Sequence, residues 1–221
     1  KINGLDDAVE EVTSLFLQCS GYESEDAHIV IGGYHFIFLS MDNYVKAQNL
    51  YFGDEKLEWL KAQLDEAVAD DPTKQIFVFQ HEPPYATQFN TTNTAADKNL
   101  KTLLDNYPQV VNFAGHTHNN LADPRNVWQG TFTALNTGSM AYLSRTIPGT
   151  TYGEGGVHEV DKEGEWTATY KDTAHSETTS RDGGMYYIVE IDANGVIQIF
   201  IYNIFFIDNP RKQCFHWNQY T

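Results

Sequence analysis

Three histidines carry the chemistry that this sequence suggests. His81 directly follows the apolar run Ile76 to Gln80 and precedes Glu82-Pro83-Pro84. His116 and His118 follow the apolar run Val110 to Ala114, in Gly115-His116-Thr117-His118. Imidazole suits Zn, Fe, Ni and, with carboxylates, Mn. Gly115 lets the backbone turn sharply where a strand ends. Imidazoles at i and i+2 in such a turn reach a shared site from different directions, as two neighbouring metals would require. A lone histidine at a strand end is ordinarily a hydrogen-bonded surface group. Two strand-end clusters, 116 − 81 = 35 residues apart, are much harder to obtain by accident.

The surrounding pattern says what must position them. Gln75 to Gln80 and Gln109 to Ala114 read as strands buried on both faces. A helix is predicted between them, at about Ala95 to Asn106, with Leu100, Leu103 and Leu104 inward. Upstream, Asp54 to Ala69 is the clearest helix, with Asp54 as its cap and Leu57, Leu60, Leu64 and Val68 as one apolar stripe. Gly4 to Gln18 predicts a further amphipathic helix, and His28 to Ser40 two short strands around Gly32-Gly33. Thr131 to Thr137 alternates like a strand, while Gly149 to Gly184 reads as a long irregular excursion. Met185 to Ile191 and Val196 to Tyr202 flank an Asn-Gly hairpin turn, and Ile204 to Ile207 extends the same sheet. Strand–helix–strand order with short links predicts an α/β layered fold in one domain, 1–221. Both histidine clusters then leave the carboxyl ends of adjacent strands, where open α/β sheets bind ligands.

Composition narrows the partners. With 14 basic and 30 acidic residues the net charge is −16, which argues against a metal-free surface for nucleic acid or anionic lipid. A bound divalent metal reverses that field locally. No apolar run approaches the roughly 20 residues of a membrane span. Cys19 and Cys214 are too few for a disulfide framework, and sequence leaves open whether they pair. Abundant Tyr, Thr, Asn and Asp with few Lys lean toward an extracytoplasmic location. Oligomeric state is not readable.

His81-Glu82-Pro83-Pro84 and Gly115-His116-Thr117-His118 resemble the last two metal motifs of calcineurin-like metallophosphoesterases. The resemblance spans roughly Asp26 to Thr137, with Met185 to Tyr202 as a weaker continuation. It implies a layered sandwich of two central sheets flanked by helices. It also implies a two-metal site in which His81 and His116 bind one divalent ion and His118 the other. The implied reaction is hydrolysis of phosphomonoesters or phosphodiesters by in-line attack of a hydroxide shared between the metals. The implied partner is a phosphate-ester small molecule or a phosphorylated substrate.

The departures weigh as much. The family's Asp-x-His, Gly-Asp and Gly-Asn-His motifs, each following a strand, have no counterpart in place. Asp26-Ala27-His28 precedes its strand and so lacks the strand-end position; Gly53-Asp54 opens a helix. The expectation is therefore the carboxyl-terminal portion of a longer enzyme, incomplete at the amino end and with little activity by itself. The absent initiator Met points the same way. The rival is a non-catalytic domain of the same fold that binds a protein or a surface glycan. His28 and His35 read as structural, and His158-Glu159 and His175-Ser176-Glu177 as solvated loop. Tyr85, Phe89, Asn119 and Asn120 adjoin the clusters and are candidates to line a cleft.

Overall fold

The computed structural model describes residues 5–41, 52–88, 91–92, 96–119, 121, 124–139, 157–160, 166–170, 183–205 and 215–217. Helix α1 is Leu5–Ser20; the hairpin β1 (Ala27–Ile31) and β2 (Tyr34–Leu39) follows. Then come α2 (Asp54–Asp70), β3 (Ile76–Gln80), α3 (Lys98–Leu104) and β4 (Val110–Ala114). After a 3-10 turn at Pro124–Asn126, β5 (Val127–Gln129) and β6 (Thr133–Asn136) complete a six-stranded sheet in the order β1-β2-β3-β4-β6-β5. The inner strands β2, β3, β4 and β6 are parallel, and the edge strands β1 and β5 are antiparallel.

Alternation along the inner strands splits their side chains between two cores. Ile37, Ile76, Val78, Val110 and Ala134 pack against Leu60 and Leu64 of α2 and Leu100 and Leu104 of α3. Each of those leucines is fully buried, a gain of roughly 1.5–3 kcal/mol apiece over an exposed side chain. On the opposite face, Phe77, Val111, Phe113 and Leu135 meet Tyr187, Ile191, Ile197 and Ile199 of the hairpin β9 (Gly183–Ile191) and β10 (Ile197–Phe205). Phe38, Phe79 and Phe113 share one register line on neighbouring strands and stack at 4.9 and 5.1 Å between centroids. Stacked aromatics across strands add packing energy beyond burial. The molecule is thus mixed α/β, with a largely parallel sheet layered between helices and a smaller sheet.

Local differences from the sequence reading have local causes. Helix α3 starts at Lys98 rather than Ala95, because Asp97 is its cap and its carboxylate accepts the Leu100 N–H at 2.8 Å. Gly53, not Asp54, caps α2. Asp54 is instead the first helical residue, where its charge faces the positive end of the helix dipole. The stripe of α2 also takes in Lys56 and Ala67 as buried residues. The excursion after Gly149 contains an antiparallel pair, β7 (Val157–Val160) and β8 (Trp166–Tyr170), too short to stand out from its Gly-rich surroundings. A short β11 (Phe215–Trp217) pairs with β10 and was not expected from sequence, and neither was β5. Of Ile204 to Ile207, expected to extend this sheet, Ile204 and Phe205 end β10 itself and 206–207 lie outside the described residues. Cys19 is an exposed free thiol, and Cys214 lies outside the described residues. Among the described residues no helix is long and apolar enough to cross a membrane.

Candidate metal centre

Strands β3 and β4 are parallel, with Gln80 opposite Ala114, so His81 and Gly115 emerge side by side at one edge of the sheet. The Gly115 N–H donates to the His81 carbonyl at 3.0 Å, and the Thr117 N–H donates back to the Gly115 carbonyl at 2.8 Å. This tight turn carries His116 and His118 at φ +67° and +52°. Both lie in the left-handed region, where an L side chain is strained. A Cβ at Gly115 would stand 3.2 Å from His81 Nδ1. The missing side chain is what lets the two rings approach. They meet edge-to-face, 5.3 Å between centroids.

Glu82 joins them. It is 3% exposed, and its Oε1 lies 3.7 Å from His116 Nδ1. Its Oε2 is buried and makes no hydrogen bond. One ligand atom from each of His81, Glu82 and His116 falls within 4.8 Å of the other two. Burial pushes the Glu82 carboxyl up to about 7, helped by the Asp97 carboxylate. Burial and then the charge of His118 hold His81 below the usual histidine range, and burial does the same to His118. Two imidazoles beside a buried carboxyl whose Oε2 has no hydrogen-bond partner form a donor set that can hold a divalent cation.

His118 is on the same turn but is not one of the three grouped donors. Sequence reasoning quoted Glu82 only as part of its motif and missed it as a donor. The signal was there in a carboxylate locked beside a histidine by two prolines.

The supporting residues come from neighbouring elements. Prolines at 83 and 84 have no N–H to donate, so the segment is pinned through its carbonyls and the next amide. The Asp97 N–H donates to the Pro83 carbonyl and the Tyr85 N–H to the Asp97 carbonyl, both at 2.9 Å. Gln80 and Asn112, buried just behind the histidines, exchange side-chain amide bonds of 3.0 and 2.7 Å. Asn136, at the end of β6 and 0% exposed, was missed by sequence reasoning. Its Nδ2 donates to Gln88 Oε1 at 2.9 Å and to Thr117 Oγ1, which ties the two histidine loops together. Its Oδ1 accepts the Gly138 N–H at 2.6 Å. Asn119, a candidate cleft residue, is buried and donates to Asn126. The Tyr85 ring lies under Lys98 Nζ at 4.8 Å. Phe89 and Asn120 lie outside the described residues.

The Asp-x-His of 26–28 needs a correction of position. Because β1 runs antiparallel to β2, with Ala27 opposite Phe38, Asp26 lies beside the carboxyl end of β2 after all. Its carboxylate is committed: it accepts the Ser40 N–H at 2.7 Å and pairs with buried Lys56 at 2.8 Å. His28 joins a side-chain chain instead. Its Nδ1 meets Gln63 Oε1 at 2.8 Å, its Nε2 meets His35 Nδ1 at 2.7 Å, and His35 Nε2 meets Asp70 at 3.3 Å. A cavity of about 420 Å³ lies between the amino ends of β3, β4 and β6 and the β9–β10 hairpin, lined by Val111, Leu135, Tyr187 and Ile199 among others. None of the three histidines touches it.

No protein-family model matches the chain. No curated protein does either. Among solved structures, GAP50, the anchor in the inner membrane complex of Plasmodium, is similar at 18% identity and a TM-score of 0.39. That likeness covers 80% of this chain and 48% of that structure, so the chain spans about half its length.

Proposed function

We propose that this chain is the histidine-bearing portion of a metal-dependent phosphoesterase acting on phosphomonoesters or phosphodiesters. One observation carries the reading: His81 and His116, from the carboxyl ends of two adjacent parallel strands, converge with a buried carboxylate within 4.8 Å. His81 and His116 serve one ion, and His118, set apart on the same turn, serves the second. Divalent metals at such a site lower the pKa of water and neutralise charge on phosphoryl oxygens. The protein's own part is positional. Gly115 admits the His81 ring, Asn136 holds the two loops in register, and burial favours the neutral, ligating form of His81 and His118. The remaining carboxylate and Asn-His ligands come from sequence that this chain does not carry, so the chain alone turns over little.

A second reading is a non-catalytic binding domain of the same fold, recognising a protein or a surface glycan. It is favoured by Asp26, whose carboxylate is taken up by Ser40 and Lys56. The test compares the 25.1 kDa chain with the full gene product, each stripped of metal and reloaded with Mn2+ or Zn2+. The substrates are p-nitrophenyl phosphate and bis-p-nitrophenyl phosphate. Expected are turnover by the full product, its loss in chelator, a drop of about 100-fold or more in His116→Ala, and little turnover by the short chain. A full product inert with every metal would overturn the phosphoesterase reading and leave the binding domain.

A further inference from the structure

We infer that Glu82 is a direct metal ligand, completing with His81 and His116 a two-imidazole, one-carboxylate site that holds a single divalent ion in this chain by itself. The inference rests on the proposed function for the role of the two histidines and adds a donor to it. Three observations converge. Glu82 is 97% removed from solvent, being 3% exposed, which is rare for a carboxylate unless it is paired or bound to metal. Its Oε2 is buried with no hydrogen-bond partner, so this half of the carboxyl is left unsatisfied by protein groups. And its ligand atom stands within 4.8 Å of one from each of His81 and His116.

The geometry is close to what coordination needs. Ligand atoms at 2.0–2.2 Å from a tetrahedral ion stand about 3.4 Å apart. About 1 Å of side-chain rotation therefore converts the present grouping into a first coordination sphere. His116 Nδ1 and Glu82 Oε1, at 3.7 Å, are already near that spacing. Water completes the sphere on the exposed side, where His81 stands at the rim. His118 lies outside this trio and is not needed for the single ion.

The experiment uses the 221-residue chain stripped of metal and titrated with Zn2+ against a chromophoric chelator, and separately with Co2+ by visible absorption. Variants are Glu82→Gln, Glu82→Asp, His81→Ala, His116→Ala and His118→Ala, each checked for cooperative unfolding by circular dichroism. Expected is one ion per chain. Glu82→Gln should weaken Zn2+ by about 100-fold or more, beyond the 10–100-fold that a residue merely supporting a ligand commands. It should also alter the Co2+ d–d bands, and Glu82→Asp should recover part of the affinity. His118→Ala should stay within about 3-fold of wild type. If His81→Ala and His116→Ala abolish binding but Glu82→Gln leaves affinity and the Co2+ spectrum unchanged, Glu82 is not a ligand and the histidine reading survives. No saturable binding, or binding indifferent to His81 and His116, overturns the single-ion site, whereas the phosphoesterase reading falls only if the full product is inert with every metal.

Discussion

His116 and His118 sit at positive φ in the turn that carries both imidazoles past the carboxyl end of β4. Left-handed backbone costs a non-glycine residue about 1–2 kcal/mol. His118→Gly should therefore be more stable than His118→Ala by about 1 kcal/mol, since both lose the imidazole and differ only in backbone freedom. Urea unfolding of the metal-free pair measures this, and equal stabilities would deny the strain. Glu82 makes a pH prediction. Its native carboxyl, pushed up to about 7 from an ordinary 4.5, binds a proton that the unfolded chain releases. Its contribution therefore declines as pH rises from about 4.5 to about 7, by an order of 3 kcal/mol in the metal-free chain. His81 and His118, held low, have the opposite sign and lose stability as pH falls below 6.5. The difference between wild type and Glu82→Gln isolates the carboxyl. With EDTA present it should move against wild type as pH rises through that window, and a flat difference would rule out the raised value.

The strand–helix–strand unit from β3 to β4 was legible because apolar runs and leucine spacing point the same way, although the Asp97 cap that sets the start of α3 was not read. What the helices rest on is testable: Leu64→Ala, removing a fully buried leucine between α2 and the sheet, should cost about 3–5 kcal/mol in urea unfolding. Gly115→Ala tests how closely the two strand ends must pack. The added Cβ, 3.2 Å from His81 Nδ1 and 3.7 Å from the His81 carbonyl oxygen, should displace the ring. Zn2+ affinity should fall by about 10-fold while the unfolding midpoint stays near wild type; undiminished affinity would show that ring spacing is not limiting. The contact of His28 with His35 was not legible in this way. Only the antiparallel pairing of β1 with β2 brings the two rings together over α2, where Gln63 and Asp70 complete the chain.

Across the whole molecule, the net charge of −16 makes self-repulsion a term that salt can relieve. Raising NaCl from 10 to 150 mM shortens the screening length from about 30 to about 8 Å. The Tm should rise over that range, measured by differential scanning calorimetry in chelator. A falling Tm would mean that specific ion pairs such as Lys56 with Asp26 outweigh the general repulsion.

Some of this protein was settled by one-dimensional pattern. Apolar runs of five or six residues, a leucine stripe and strand-end histidines are local features, and local sterics and burial translate them directly into strands, a helix and a histidine-bearing sheet edge. The α/β layering and the placement of His81 and His116 followed from them. Tertiary structure alone decided which groups meet. It grouped Glu82, and not His118, with His81 and His116 within 4.8 Å, set Asn136 between the two histidine loops, and set Asp26 beside Ser40 and Lys56. Those outcomes depend on strand order, register and burial, which bring together residues whose spacing along the chain has no period to read.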